Sequence, residues 1–332
     1  MSRAAAIALA TLALCACNGD PPETPADTPR AEPVVVYASF ENENYLPALC
    51  AEFTRETGIA VTVRQRPEQQ IVSDVIDKRG SPPADLLLTR SVHGVWRAAD
   101  DGALRPLQSA AANRSVPAWL RDADGYWTAI GFTPVDVVCS AERQADCDAV
   151  DAYEDLGKSE FRGRLCLAAA SLAVNRTLMA GLIADHGVRP AELIVRGWVA
   201  NLALPPLDTE QAVLRAVADG RCGLGVVSGT ELHAFAGSAV AATWPRPGYF
   251  DVVAVGVNRH ARNPDAARKL ADWLVGEAAQ ALQFAAIGLR PVNPEVPAGP
   301  FALPSAEGMR NAGVFGLHET DAVKLAERAR WH

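Results

Sequence analysis

The chain has 332 residues, 49% of them hydrophobic and 21% charged, with 31 basic residues against 39 acidic ones and a formal net charge of −8. That length suits two ordinary domains or one large one. A mean hydropathy near zero argues against a multispanning membrane protein, and the acidic excess against a nucleic-acid binder, which needs a concentrated basic face.

In chain order, Arg3 precedes an apolar run from Ala4 to Leu14 that ends in Leu14-Cys15-Ala16-Cys17. At about a dozen residues the run is too short to span a bilayer as a helix, which needs ~20. It has the charge, length and small-residue ending of a secretory signal. The segment resembles a bacterial lipoprotein signal over residues 1–17, with Cys17 as the lipid-bearing residue. Cys15 is the weaker candidate, and an ordinary signal peptide cut nearby is the alternative. Residues 18–33 contain five prolines and four acids and no large apolar residue, so they read as a disordered tether. The folded part is expected in the periplasm or on an outer surface, lipid-anchored to a membrane.

The next segments alternate. Val34–Tyr37 is a buried strand, Leu46–Glu56 a helix, Ile59–Arg64 a strand and Gln69–Lys78 a helix. Ala84–Thr89 is a strand and Val92–Asp101 a helix closed by Gly102. Trp127–Ser140 reads as a strand or strand pair able to cross between domains. Arg164–Ala168 and Cys222–Val227 are strands, and the helices are Asn175–His186, Pro190–Leu202 and Glu210–Ala218. Asp251–Val257 returns the chain to the first domain, and Pro264–Ile287 supplies two helices. Continuous apolar strands alternating with helices give an α/β fold of two lobes, with mixed, mainly parallel sheets and hinge crossings. The expected division is 34–128 plus 251–300 for lobe 1 and 129–250 plus 301–332 for lobe 2, with ligand beyond the strand C-termini.

Five cysteines remain after Cys15 and Cys17 are set aside. Cys139 and Cys147 flank a polar, turn-like stretch, and Cys166 and Cys222 each follow a Gly-Arg-containing turn and enter an apolar run. These pairs are the expected disulfides, with Cys50 a buried free thiol in a helix. No CxxC motif or histidine cluster suggests zinc.

Several phrases, among them VVVYASF, EFTRETGIAVTV, PPADLLLT, FRGRLCLA, QAVLRAVADGRCGLGVV and NPDAARKLADWLVGEAAQ, resemble the periplasmic solute-binding proteins of the ferric-iron importer group. The resemblance runs through nearly all of the chain from Val34. It implies the type II two-lobe binding-protein fold, a small-molecule ligand and an inner-membrane transporter as partner. It also implies adjacent tyrosine ligands for ferric ion after the CGLGVV strand, where this chain has Thr230-Glu231. The five tyrosines, 37, 45, 126, 153 and 249, are nowhere adjacent. Arg90 stands where relatives often place an acid. Relatives also carry polar ligand-facing residues where this chain has Ile130 to Val135 and Ala168 to Val174.

These replacements predict an apolar cleft, in which buried apolar area contributes roughly 25 cal/mol per Å2 and an ion would be desolvated without compensation. The expected cargo is accordingly a lipid such as a sterol or hopanoid. Expected ligand-binding residues are Phe40, Glu41, Arg90, Phe132, Thr133, Ser171, Leu172, Asn175, Thr230 and Glu231. The alternative is the binding component of an importer for iron(III), or another metal or oxyanion, with a non-standard site. Simpler roles stand beside several of these residues: Glu231 as a first-turn helix acid, Glu41 as a solvated loop acid, and Arg90 in a structural pair with Glu41 or Asp85. Phe40 and Phe132 also read as core, and Asn175 as a helix N-cap.

The histidines 93, 186, 233 and 260 lack metal-like spacing and read as surface or packing residues. No GxSxG, HExxH or P-loop pattern appears, so no enzyme activity and no cofactor are expected. No nucleic acid is expected as a partner, and a monomer is. A lipoprotein that has lost ligand binding altogether is the third reading.

Overall fold

The computed structural model describes residues 32–39, 45–77, 83–235, 240–296 and 309–332. The expected signal and Cys17, the tether up to residue 31, and Phe40 and Glu41 lie outside the described residues.

The first lobe opens with β1 (Val34–Ala38), α1 (Tyr45–Thr57), β2 (Val61–Gln65), α2 (Glu68–Ile76), β3 (Leu86–Thr89) and α3 (Val92–Asp100). Every residue of β1 and β3 is buried, which explains their unbroken apolar runs. β1 pairs in parallel with both β2 and β3. A short β4 (Leu104–Arg105) and α4 (Ala110–Ser115) lead to β5, a 14-residue strand from Trp127 to Ser140.

β5 belongs to both sheets. Trp127–Pro134 pairs antiparallel with β9 (Phe250–Asn258), which also pairs with β3. Val135–Ser140 instead pairs with β7 (Leu224–Ser228) and β8 (Val240–Thr243). The crossing between sheets therefore falls at Pro134–Val135, a few residues beyond the boundary expected from sequence. The return at Tyr249–Phe250 lies beside it, since the Val135 amide donates to the Tyr249 carbonyl (3.0 Å).

The second lobe holds α5 (Gln144–Asp148), β6 (Leu165–Cys166), α6 (Ala173–His186), α7 (Val188–Ala200), α8 (Glu210–Ala218) and α9 (Gly229–Ala234). β6 runs parallel to β7. After α10 (Pro264–Leu274) and α11 (Glu277–Ile287), the chain ends in α12 (Gly313–Leu317) and α13 (Glu319–Ala329), which the sequence reading did not foresee. α12 packs on both α3 and α6, and α13 on α6 and α7.

Cys139 pairs with Cys147 and Cys166 with Cys222, at Cα separations of 5.7 and 5.9 Å, both ordinary for disulfides. Cys50 is a buried free thiol in α1, and burial pushes its pKa up to about 12.

Candidate functional site

A cavity of about 1110 Å3 opens where the C-terminal ends of β1 and β3 face α6, α8 and α9. On the first-lobe side, Pro67 precedes α2, and Glu68 is the first helical residue. Its Oε2 accepts from Ser39 Oγ and from the Arg90 amide, each at 3.1 Å. Burial raises the Glu68 pKa to about 7 and the Asp251 charge adds to the rise, against the opposing effects of Ser39, Arg176 and the Arg90 amide. α3 approaches closely enough that a Cβ on Gly94 would lie 2.9 Å from both Glu68 Oε1 and Thr89 Cγ2, so a larger residue here would displace the Glu68 carboxylate or the Thr89 side chain.

Asp251, at the head of β9, forms the inner end. Its Oδ1 accepts from the amides of Val92 (2.9 Å) and Val252 (2.8 Å), and burial raises its pKa to about 6. Beside it His93 is 2% exposed. Burial, and then the charge of Arg176, push its pKa down to about 3, so it is neutral at physiological pH. Arg176, on α6, bonds Glu319 at the start of α13 (2.7 Å), and the other Glu319 oxygen lies 3.9 Å from His93 Nδ1.

The second-lobe side is closed by its own hydrogen bonds. Thr209 caps α8 and places Glu210 to accept from the Ser228 amide. Burial raises the Glu210 pKa and the Glu231 charge adds to it, against the Ser228 bonds. The Thr230 amide donates to Thr133 Oγ1 (3.1 Å), and the Ser228 and Thr230 hydroxyls are 3.2 Å apart.

Of the residues expected from sequence, Arg90, Thr133, Leu172, Thr230 and Glu231 line this cavity. Phe132 does not: it is fully buried and packs edge-on against Trp119 and Phe250, on the core side of β5. Ser171 is exposed and outside the lining. Asn175 is buried, and its Nδ2 donates to the carbonyls of Ala168 (3.1 Å) and Ala169 (3.0 Å), tying the preceding turn to α6. The N-cap of α6 is Leu172 rather than Asn175. The proposed structural pair of Arg90 with Asp85 is also absent, because Asp85 is buried and accepts from the amides of Val35, Arg262 and Asn263.

The expectation of an apolar cleft fails. Val135, Leu172 and Val174 do reach the cavity, but Glu68, Arg90, Arg176, Glu210, Asp251 and Glu319 share its walls. Glu68, Arg176, Glu210 and Glu319 stand in the first turns of α2, α6, α8 and α13, and Arg90 and Asp251 at the ends of β3 and β9, so the charges come from segments far apart in sequence. None of the five tyrosines lines it. Among the described residues, no group of three or more His, Cys, Asp or Glu side chains is placed to hold a metal ion.

Residues 48–310 match the family described as bacterial extracellular solute-binding protein. The chain belongs to this family. Such solute-binding proteins take up a small molecule and deliver it to a membrane ABC transporter; they are not enzymes. One relative is iron uptake protein A1 of Synechocystis, 30% identical over 283 residues, covering 81% of this chain and 78% of that protein. Another is the Fe(3+)-binding periplasmic protein of Serratia marcescens, 23% identical over 202 residues, or 61% of this chain and 59% of that one. The solved structure of IdiA (FutA) from Trichodesmium, in complex with iron and citrate ligands, superposes with a TM-score of 0.83 at 26% identity. It covers 91% of this chain and 100% of that one, and confirms the type II two-lobe architecture of this solute-binding protein. These relatives, together with the charged lining, overturn the lipid reading of the cargo.

Proposed function

We propose that this protein is the substrate-binding component of a ferric-iron ABC importer, with a carboxylate-based site in place of the tyrosine pair. The observation that carries the reading is the set of six carboxylates, Glu68, Asp208, Glu210, Glu231, Asp251 and Glu319, lining one interlobe cavity, with burial raising the pKa of Glu68, Glu210 and Asp251. Hard iron(III) prefers anionic oxygen ligands. Cation binding would displace the protons that burial favours. The arginines 66 and 90 in the same lining suit an anionic co-ligand that arrives with the metal and completes its coordination. Closure of the two lobes about the β5 and β9 crossings would bring the carboxylates of both walls onto the cargo. Periplasmic residence, and anchoring through Cys17, belong to the same proposal; the leader pattern of residues 1–17 supports them.

The test is titration of stripped protein with ferric citrate, reading iron by elemental analysis and stability by melting. One iron per chain is expected, with a stabilisation of about 2.7 kcal/mol at a hundredfold excess of ligand over Kd. Protein that retains no iron from any ferric chelate, and whose melting does not shift, would refute the reading.

A further inference from the structure

Three buried polar atoms at the inner end of the cavity have no hydrogen-bond partner among the described residues: Nδ1 of His93, Oδ2 of Asp251 and Nε of Arg176. They come from α3, β9 and α6, and all three residues line the cavity. His93 is 2% exposed and Asp251 3%. An unpaired buried polar atom destabilises the fold, and native proteins keep few of them. Three such atoms on residues that line one cavity leave room for a further hydrogen-bond partner.

The other ends of the same side chains are already held. Asp251 Oδ1 takes two backbone amides, and an Arg176 terminal nitrogen is on Glu319. His93 Nε2 lies 3.5 Å from Thr177 Oγ1. Thr177 is close enough to Asp251 to favour its charged form, yet Oδ2 has no bond to it. Each group is thus oriented by the protein and left with one free valence.

Charge selects the occupant. Asp251, Glu68 and Glu319 lie around Arg176, so a free carboxylate or phosphate is disfavoured at this end of the cavity. A neutral oxygen that both gives and takes a hydrogen bond fits: its proton goes to Asp251 Oδ2 and its lone pair accepts from Arg176 Nε. A neutral His93 serves it in either tautomer, as donor or as acceptor.

We propose that His93, Arg176 and Asp251 form a subsite for a hydroxyl oxygen of the cargo complex, either the hydroxyl of a hydroxycarboxylate chelator or a water bound to the metal. The subsite rests on the ferric reading above for its cargo, but its chemistry can be tested without metal.

Affinities of wild type, Asp251→Asn and Arg176→Lys are measured for citrate and for tricarballylate, which lacks only the hydroxyl, each free and as the ferric complex. Asp251→Asn keeps an oxygen for the Val92 and Val252 amides and can turn the free acceptor into a donor; Arg176→Lys keeps the charge but removes Nε–H. Melting curves confirm that both variants fold.

If the chelator supplies the hydroxyl, wild type prefers citrate by about tenfold or more, with or without iron, and both variants lose the preference. If the oxygen is a metal-bound water, the two ferric complexes bind alike and both weaken about tenfold in the variants. Affinities in both variants within about twofold of wild type for every probe overturn the subsite. Iron content separates the two proposals. A hydroxyl preference without iron retention leaves the subsite and removes the ferric reading, whereas iron retention with indifferent variants does the reverse.

Discussion

The two walls of the cleft are built on opposite principles. On the second-lobe wall, Glu210, Ser228, Thr230 and Thr133 bond one another and hold α8, α9 and β5 together. At the first-lobe wall and inner end, Glu68, His93 and Asp251 are buried by packing, with atoms of His93 and Asp251 left unpaired. Of the residues that local sequence singled out, Thr133, Thr230 and Glu231 stand on this wall and Arg90 on the other. The wall whose polar groups are still free to meet a ligand is assembled from α2, α3, β9 and, across the cleft, α6 and α13.

The largest expected effect marks the limit of the second-lobe wall. Phe132 stands next to Thr133 but points into the aromatic cluster, so Phe132→Ala should cost about 3–5 kcal/mol in denaturant unfolding. A cost below about 1 kcal/mol would return it to the cleft. The walls themselves are compared by Glu68→Gln and Thr230→Val. Loss of the first-lobe carboxylate should weaken ferric binding by about a hundredfold, the scale of a lost charged partner at ~3 kcal/mol. Thr230→Val should change it less than about threefold. Equal effects would erase the distinction.

A pH series sharpens the same contrast. The Glu68 pKa rises on folding from its ordinary 4.5 to about 7, so the folded state holds this proton more tightly. That stabilisation is fully present below about pH 4.5 and is lost as pH rises through 7, by at most ~3 kcal/mol. Relative to wild type, Glu68→Gln should therefore flatten the fall in stability across that window. Ferric affinity runs the other way, strengthening as pH rises through 7, because the metal requires the deprotonated carboxylate. The smallest effect is expected from Thr133→Val, which leaves the Thr230 amide without its acceptor and should cost ~1 kcal/mol with iron binding intact.

Much of this was legible in the sequence. Apolar runs such as Ala84–Thr89 and the punctuation at Gly58 and Gly102 located strands and helices, because burial period and turn chemistry are local. The two disulfides followed from the surroundings of their cysteines. The site was half legible. Arg90, Thr230 and Glu231 lie just past strand ends, where ligand positions are expected, whereas Thr133 lies at the β5 crossing and Leu172 at the head of α6. Glu68 could have been found by the same rule, since it opens a helix just after β2. His93, Arg176 and Glu319 carry no such signal.

By itself, the sequence determined the two-lobe α/β chain, its cysteine pairing and the absence of adjacent tyrosines. These rest on residue type and spacing alone. Only the tertiary structure decided that the cleft is charged, that Phe132 faces away from it, and that His93, Arg176 and Asp251 meet. The physical reason is that direction and depth of burial depend on how elements pack. A charged residue on a helix reads as solvated until another lobe covers it, and only then does its environment shift its pKa and leave its free valence for a ligand.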